Sequence, residues 1–268
     1  MTQFLAWSGS EKKPVQIDLH DLQQMVRWVS DMGISARSQA RIISGVRNFF
    51  DYLILEDEIK DDPTELLELP KIGKKLPEVL SQEEIESLLN AIDLSKTEGH
   101  RNRAILETLY SCGLRVSELI NLKITNLYFE EGFIRVIGKG NKERLIPVSG
   151  SVIKEIGLYR EHIRIHQNIK AGHEDFLFLN RRGAQLTRVM IFTIIKQLSE
   201  RIGLKKKVSP HTFRHSFATH MVERGANLRA IQEMLGHESI TTTEIYTHLS
   251  DDFLKEAIIS YHPRNKAN

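Results

Sequence analysis

The stretch Ser209-Pro210-His211-Thr212-Phe213-Arg214-His215 predicts the start of a helix that carries polar residues in its first turn. Ser209 is a favoured N-cap residue, and Pro210 suits the first helical position because its missing N–H costs nothing there. Apolar residues then recur at every fourth position from Phe213 to Met221. This spacing predicts one apolar face, directed at a protein core.

His211 and Arg214 lie three residues apart, so they project from neighbouring points of the first helical turn. The free N–H groups and the dipole of a helix N-terminus favour an anion at this place. A guanidinium and an imidazole there could hold a phosphate. The same residues would equally suit a solvated helix start, so this stretch alone leaves both interpretations open.

Length and composition are those of an ordinary globular protein of one large domain or two small ones. The chain has 268 residues, of which 41% are hydrophobic and 27% charged, and its formal net charge is +2. No apolar run suits a membrane span, and no secretory signal is recognisable. The single cysteine, Cys112, excludes an internal disulfide and a CxxC metal site. These features predict a cytoplasmic protein with no membrane partner.

Basic residues cluster in four predicted loops. Each cluster could be an ordinary solvated loop, but four of them in one chain favour binding to a polyanion such as DNA. The clusters are Lys71, Lys74 and Lys75; Lys139, Lys142 and Arg144; Arg181, Arg182 and Arg188; and Lys205, Lys206 and Lys207.

The N-terminal part contains two predicted helices, over residues 18–32 and 35–56, each with one apolar face. Polar residues lie largely on the other side of the second helix. That side could be solvated, or it could lie against a DNA groove. The candidate contacts on it are Arg37, Ser38, Arg41 and Arg47.

The prolines, glycine and charges of residues 70–78 suggest a linker. The boundaries predicted from it are a small helical N-terminal domain over 1–69 and a larger domain over 79–268.

The larger domain mixes helical spacing with one alternating stretch. Two strands, over residues 133–137 and 144–147, are joined by the glycine-flanked turn Gly138–Asn141, which carries Lys139. Helices are predicted over 81–92, 101–110, 151–169, 187–202, 210–221 and 228–235, and in a tail helix from about Leu249. The predicted fold class is therefore mainly α with a small antiparallel β-sheet (α+β).

Polar residues recur along this domain at helix breaks, turns and helix starts. The sequence also lacks several motifs that are common in enzymes acting on phosphates. There is no Walker loop, no carboxylate cluster for Mg²⁺ and no zinc spacing. Phosphate chemistry without a metal must neutralise charge with Arg and Lys and must supply its own nucleophile, a role open to Tyr. We therefore expect no cofactor and no metal. The candidate set is Arg115, Lys139, His211, Arg214, His237 and Tyr246.

Four segments of the chain resemble the motifs of the tyrosine recombinase (phage-integrase-type) family in order, residue type and spacing. They are Gly113–Leu119, Gly138–Lys142, His211–His215, and Leu235–His237 with Thr242–Tyr246. The segment Val-Ile-Gly-Lys-Gly-Asn-Lys-Glu-Arg most resembles sequences of the Xer subgroup of that family. The resemblance covers the whole C-terminal domain and extends into the N-terminal one.

The resemblance implies a site-specific recombinase whose Tyr246 attacks the scissile phosphate and forms a 3′-phosphotyrosyl link. Arg115 and Arg214 would hold the non-bridging oxygens, which guanidinium forks match in geometry. The covalent link conserves the bond energy, so no ATP is implied.

The proton transfers fall to three further positions. Lys139 would protonate the leaving 5′-oxygen, His211 would assist proton transfer at Tyr246, and His237 would donate a hydrogen bond to the phosphate. Contacts to the DNA backbone or bases are expected from a further set, namely Arg37, Ser38, Arg41, Arg47, Lys142, Arg144 and Arg188.

The resemblance also implies partners: a double-stranded DNA recombination site, and a second, XerC-like recombinase of the Xer subgroup in a tetramer on two duplexes. An FtsK-like DNA translocase is a further implied partner, and chromosome-dimer resolution is the implied role. The tail after Tyr246 is expected to dock into a neighbouring subunit. Family members usually begin with one more helix, and Phe4–Trp7 resembles its end, so the N-terminal domain is expected to lack its first helix.

Three alternatives remain open at this stage. One is the integrase of a mobile element, another is a type IB topoisomerase-like nicking-closing enzyme, and the third is a non-catalytic DNA-binding protein on the same fold. The last would be expected to lack Tyr246 or one of the arginines, and the sequence retains them.

Overall fold

The computed structural model describes residues 12–71, 78–236 and 251–265, except for the side chains of Lys139, Asp251 and Asp252. The chain divides into two compact units, Met1–Leu76 and Pro77–Asn268. The predictions for Phe4–Trp7 and for residues 237–250, which include His237 and Tyr246, lie outside the described residues.

The first unit is helical, and its helices begin where the sequence places caps. A 3₁₀ turn over Pro14–Gln16 precedes α1 (Leu19–Asp31) and α2 (Ala36–Leu55). The side chains of Asp18 and Ser35 accept backbone N–H groups at the two helix starts, which satisfies donors that the helix itself cannot. The unit has its own apolar core, in which Leu22, Ile43, Phe50, Leu53 and Leu67 are buried.

The second unit supplies eight of the helices described. They are α3 (Gln82–Asn90), α4 (Gly99–Ser111), α5 (Val116–Ile120), α6 (Gly150–His162), α7 (Arg188–Arg201), α8 (Pro210–Glu223), α9 (Leu228–Leu235) and α10 (Asp251–Tyr261). Helix α4 is the most deeply buried of them and packs against α6 and α8. Short 3₁₀ turns cover Ile124–Asn126, Lys139–Asn141, Arg164–His166 and Pro263–Asn265.

The sheet is a three-stranded antiparallel meander in the order β1 (Leu127–Tyr128), β2 (Phe133–Ile137) and β3 (Glu143–Pro147). The β2–β3 register pairs Phe133 with Pro147 and Ile137 with Glu143. The turn between the strands needs two left-handed residues, Gly140 (φ 72°) and Asn141 (φ 60°), which suits their residue types. The predicted α+β class with a small antiparallel sheet is therefore confirmed. No helix in the described ranges is long and apolar enough to cross a lipid bilayer.

One helix is shorter than its apolar spacing predicts. The sequence predicts a helix over residues 151–169, but α6 ends at His162 and is followed by the 3₁₀ turn Arg164–His166. The Arg164 guanidinium donates to the carbonyl oxygens of Glu174 and Phe176, which belong to the returning chain. The prediction for residues 163–169 is therefore wrong, because a tertiary contact there replaces the continuing helix.

The tail helix α10 packs against the core of its own unit. Leu254, Ala257 and Ile258 are buried in that core, and the Lys255 ammonium lies 4.7 Å from the centroid of the Phe133 ring. The Arg264 guanidinium donates from Nε to Glu107 Oε1 at 2.9 Å and also pairs with Glu86. Docking of the tail into a neighbouring subunit stays a prediction from the resemblance.

His262, which follows the last residue of α10, is completely buried. Its ring centroid lies 5.1 Å from that of Tyr110 and 5.6 Å from that of Phe217. Its Nδ1 accepts the Arg264 backbone N–H at 3.1 Å, while Nε2 has no hydrogen-bond partner among the described residues. Burial, followed by the nearby charge of Arg264, lowers the pKa of His262 from 6.5 to about 3.

We expect this histidine to weaken the fold in acid. Between about pH 6.5 and pH 3 the unfolded chain binds a proton at His262 that the folded protein does not bind. The full free energy of unfolding is therefore present above pH 6.5, and it decreases as the pH falls below this value. The loss amounts to at most about 1.4 kcal/mol per pH unit. Denaturant unfolding between pH 7 and pH 4 should show a shallower pH dependence for His262→Gln than for the wild type.

His166, which is exposed, supplies the matched control. His166→Gln should keep the wild-type pH dependence, and an unchanged dependence in His262→Gln would contradict the prediction.

Candidate active site

The break between α4 and α5 positions Arg115. Gly113 ends the first of these helices with φ 59°, and a Cβ atom at this residue would lie 2.6 Å from the Phe217 ring, so the turn requires glycine. Arg115 is the N-cap residue of α5, and its backbone N–H donates to Oε2 of Glu118 at 2.8 Å. The turn thus presents the Arg115 side chain, 35% exposed, at the edge of the unit.

The first turn of α8 places Arg214 inside the unit. Ser209 caps this helix through its hydroxyl and Pro210 occupies the first position, as the sequence predicts. Arg214 is only 7% exposed, and it donates to the carbonyl oxygens of Gly113 at 2.8 Å and Leu235 at 2.6 Å. Burial and the nearby Arg115 lower the pKa of Arg214 to about 10, so the guanidinium keeps its charge at neutral pH.

Three arginines meet at the C-terminal end of α9. Arg144 Nε donates to the carbonyl oxygen of Met234 at 2.8 Å, Arg214 Nη2 to that of Leu235 and Arg115 Nη2 to that of Gly236 at 3.1 Å. The last carbonyls of a helix lack partners within it and carry its negative dipole end. Three guanidiniums from distant parts of the chain therefore converge on three consecutive peptide groups, directly before His237.

One buried carboxylate joins two of these arginines. Glu118 Oε1 accepts from Nη1 of Arg115 and Nη1 of Arg144, both at 2.9 Å, and Oε2 accepts from Nη2 of Arg144 at 2.9 Å. Burial by itself would raise the pKa of Glu118, but the hydrogen bonds and charge of Arg144 and Arg115 outweigh it, and the pKa lies below its ordinary value.

The local charge balance suits an anion. Within these four described groups, the three guanidiniums and the Glu118 carboxylate that contacts Arg115 and Arg144, positive charge is in excess. A phosphodiester is a ligand of matching sign, and Arg is the side chain best suited to hold its oxygens.

The other predicted catalytic residues are described only in part. His211 is exposed in the first turn of α8, the turn that also holds Arg214. Lys139 begins the turn Lys139–Asn141 at the end of β2, and its side chain is not among those described. His237 follows Gly236 directly in sequence, and Tyr246 lies nine residues further on, both outside the described ranges.

The predicted DNA contacts divide into exposed and internal residues. Exposed side chains belong to Arg37, Ser38, Arg41, Lys142 and Arg188. Arg188 is the first residue of α7, and Ser38 also receives a hydrogen bond from the Ser35 hydroxyl at 3.0 Å. In contrast, Arg47 is half-buried and donates to the Leu67 carbonyl oxygen.

Arg144 differs most from its expected role. The sequence suggests a DNA contact in a basic loop, but the side chain is only 13% exposed and bonds to Glu118 and to the Met234 carbonyl. The physical reason is the register of β3, which turns this position toward α5 and α9 and away from solvent. Glu118 was missed as a site residue, although its spacing of three from Arg115 on a helix start is a signal for such a pair.

Comparisons with known proteins agree with these features. The family model described as the phage integrase family matches residues 78–252, and that of the phage integrase N-terminal SAM-like domain matches residues 2–57. The chain is 46% identical to tyrosine recombinase XerD of Staphylococcus haemolyticus (strain JCSC1435) over 257 residues, which cover 95% of this chain and 87% of that protein. It is 46% identical to tyrosine recombinase XerD of Staphylococcus aureus (strain Mu50 / ATCC 700699), over 92% of this chain and 84% of that one.

Solved structures of recombinases are also similar to this chain. The crystal structure of XerA recombinase is 34% identical, with a TM-score of 0.56 over 98% of this chain and 89% of that chain. The post-cleavage complex of the XerH site-specific recombinase bound to a palindromic difH substrate is 27% identical, with a TM-score of 0.72 over 96% of this chain and 75% of that chain.

The chain therefore belongs to the phage integrase family, the tyrosine recombinases. It is a site-specific DNA recombinase of the Xer type. The predicted family, its Xer subgroup and the enzyme class are confirmed, and both of these relatives are named XerD.

Proposed function

We propose that this recombinase cuts and rejoins DNA through a 3′-phosphotyrosyl intermediate formed on Tyr246. The tyrosine oxygen attacks the scissile phosphorus, a P–O bond to Tyr246 forms, and the bond to the 5′-oxygen breaks. The observation that carries the proposal is the convergence of Arg115 and Arg214 on adjacent carbonyls at the end of α9 with an excess of positive charge. Arg115 and Arg214 stabilise the charge that develops on the non-bridging oxygens.

The protons move between side chains in this scheme. The Tyr246 hydroxyl gives its proton up with the assistance of His211, and Lys139 gives one to the leaving 5′-oxygen, so a free 5′-hydroxyl results. His237 donates a hydrogen bond to the phosphate. Rejoining runs the same steps in reverse with a 5′-hydroxyl from another strand, which requires neither ATP nor a metal ion.

The remaining residues in the scheme hold the DNA. Residues 1–69 form a core-binding domain, 70–78 a linker and 79–268 the catalytic domain. Exposed Arg37, Ser38 and Arg41 on α2, and Lys142 and Arg188 in the catalytic domain, contact the duplex, mostly through phosphates. Half-buried Arg47 supports α2 and makes at most a secondary contact.

The biological role that these features support is chromosome-dimer resolution in the cytoplasm. Two copies would act with two copies of a XerC-like partner as a tetramer on two duplexes, under the control of an FtsK-like translocase. Identities of 46% to proteins named XerD support this role over that of a mobile-element integrase.

The test is to trap the covalent intermediate. The wild-type protein is mixed with nicked duplexes made from fragments of its source genome, so that the short 5′-hydroxyl strand diffuses away after cleavage. A protein–DNA adduct that survives denaturation is expected, and its yield should be the same in EDTA because side chains alone neutralise the charge. Sequencing the trapped DNA identifies the site.

Three results would contradict the proposal. Absence of any adduct would exclude the phosphotyrosyl mechanism, and loss of the adduct in EDTA with recovery in Mg²⁺ would assign charge neutralisation to a metal. If the enzyme relaxes a single supercoiled duplex but exchanges no strands between two site-bearing duplexes, it acts as a nicking-closing enzyme.

A further inference from the structure

Arg144 belongs to the arginine cluster and is largely buried. Its Nη1 and Nη2 atoms both donate to the Glu118 carboxylate at 2.9 Å, and its Nε donates to the Met234 carbonyl oxygen at 2.8 Å. A guanidinium binds an oxyanion through a pair of neighbouring N–H groups. Three of the five N–H donors of Arg144 are already engaged by atoms of the protein, including both members of the Nη1/Nη2 pair, and the side chain is 13% exposed.

The bonds of Arg144 close a ring with Arg115. Glu118 links the two guanidiniums, Arg144 binds the carbonyl of Met234, and Arg115 binds the carbonyl of Gly236 two residues later. Glu118 and the end of α9 are therefore each held from two sides. Among the described residues, loss of Arg144 would leave Arg115 as the one partner of Glu118, and the carboxylate could then rotate and move the Arg115 guanidinium with it.

Arg144 also lies close to two glycines that precede other proposed catalytic positions. A Cβ atom added at Gly236 would lie 3.2 Å from Arg144 Nη1, and one added at Gly138 would lie 3.5 Å from the same atom. Gly236 immediately precedes His237, and Gly138 immediately precedes Lys139. The guanidinium thus fills the space that a side chain would need at Gly236 and lies near the corresponding space at Gly138.

We propose that Arg144 is a positioning residue of the recombinase and not a DNA contact: it fixes Arg115 through Glu118 and holds the backbone that leads to His237 and Lys139. The inference rests on the proposed function of those residues. It differs from that function in assigning Arg144 an effect on cleavage without any contact to DNA.

The effect on the reaction should be large because catalysis depends on geometry. A displacement of about 1 Å in a catalytic group costs about 100-fold in rate. We therefore expect Arg144→Gln to form the covalent adduct about 100-fold more slowly than the wild type at saturating protein, while its affinity for the duplex is retained.

Salt dependence separates this role from a phosphate contact. Each lost phosphate contact reduces the slope of log K against log salt by about 0.9. Affinity for a nicked duplex carrying the trapped site is measured at several salt concentrations. Arg144→Gln should keep the wild-type slope, whereas Arg188→Gln, at an exposed position, should lower it. Lys154→Gln on α6 removes an exposed charge and should change neither the slope nor the cleavage rate.

A conservative variant covers the case in which Arg144→Gln leaves Glu118 too poorly compensated to fold. Arg144→Lys keeps a positive charge beside this carboxylate, but an ammonium cannot reproduce the fork that spans Glu118 and Met234. We expect it to melt close to the wild-type temperature and to cleave slowly. Full cleavage by Arg144→Lys, or a lowered salt slope with a normal cleavage rate in Arg144→Gln, would overturn the inference.

Failure of the proposed function would give a different pattern. If the wild type forms no adduct on any duplex, the phosphotyrosyl mechanism is wrong. In that case the salt slope of Arg144→Gln is measured on any duplex that the wild type binds, and it still decides whether Arg144 contacts DNA. If the wild type forms the adduct and both Arg144 variants form it equally fast, the mechanism stands and the positioning role does not.

Discussion

Replacing Tyr246 by Phe is expected to abolish the covalent protein–DNA adduct while leaving DNA binding intact. Phenylalanine keeps the aromatic ring and removes the one oxygen that can attack the phosphorus, and no covalent bond can form without it. The substitution leaves Arg115 and Arg214 in the chain, so the charge that attracts the phosphate remains. Denaturing gels of the nicked-substrate reaction measure the adduct, and a native binding assay measures affinity.

Tyr261 supplies the matched control for this experiment. It lies at the end of α10, is half-buried and is also a tyrosine of the C-terminal segment. Tyr261→Phe should form the adduct as the wild type does. A normal adduct yield from Tyr246→Phe, or its loss from Tyr261→Phe, would show that the nucleophile has been assigned to the wrong residue.

The second large effect concerns the difference between Lys139 and Arg214. An ordinary 5′-oxygen needs a proton as its bond to phosphorus breaks, whereas a 5′-bridging sulfur leaves as a thiolate and needs almost none. Lys139→Ala should therefore cleave the oxygen substrate slowly, by on the order of 10²–10⁴-fold for a lost general acid. It should cleave the phosphorothiolate at nearly the wild-type rate.

Arg214→Ala should fail with both substrates. Its guanidinium stabilises transition-state charge whatever the leaving group, and loss of such a donor costs on the order of 10²–10³-fold. The substitution also removes the bonds to the carbonyls of Gly113 and Leu235, so part of the defect arises from the displaced end of α9. Neither cause is repaired by sulfur. Single-turnover cleavage of both substrates by both variants makes the comparison, with thermal unfolding as a check on folding.

Lys139→Arg tests whether charge alone explains the role of Lys139. Arginine keeps the positive charge, but its proton is held too tightly for efficient donation. This variant should resemble Lys139→Ala on the oxygen substrate and should be rescued by sulfur. Recovery of oxygen cleavage by Lys139→Arg, or a failure of sulfur to rescue Lys139→Ala, would assign Lys139 to phosphate binding.

The buried ion pairs around Glu118 should make substitutions of Glu118 and Arg144 strongly interdependent. Replacing one partner of a buried ion pair leaves an uncompensated charge, and this is more harmful than losing the pair as a whole. Arg144 and Glu118 are therefore expected to depend on each other more than either depends on the exposed basic residues nearby.

Much of the fold follows from local sequence because its causes are local. Ser35, Ser81, Ser209 and Asn227 each mark a helix start, since a side-chain oxygen at this position accepts a backbone N–H within the same turn. The β2–β3 turn follows in the same way from left-handed Gly140 and Asn141. Such features involve residues only a few positions apart, so composition and spacing suffice to find them.

Several site features could not be found in this way. Glu118 and Arg144 are 26 residues apart, and their contact depends on the register of β3 and on the packing of α5 and α9 around it. A basic residue after a glycine-rich turn looks exposed in the sequence, because nothing in its neighbours indicates which way the strand faces. The half-buried position of Arg47 could not be predicted either, since its partner Leu67 is 20 residues away.

Residue identity and spacing along the chain were enough to predict the family, the class of fold and the order of the family motifs. Folding was needed to show which arginines meet, which carboxylate lies between two of them and which basic residue is internal. Those outcomes are set by burial: a guanidinium removed from water must find acceptors within hydrogen-bonding distance. For Arg144 and Arg214 these acceptors come from parts of the chain that only folding brings together.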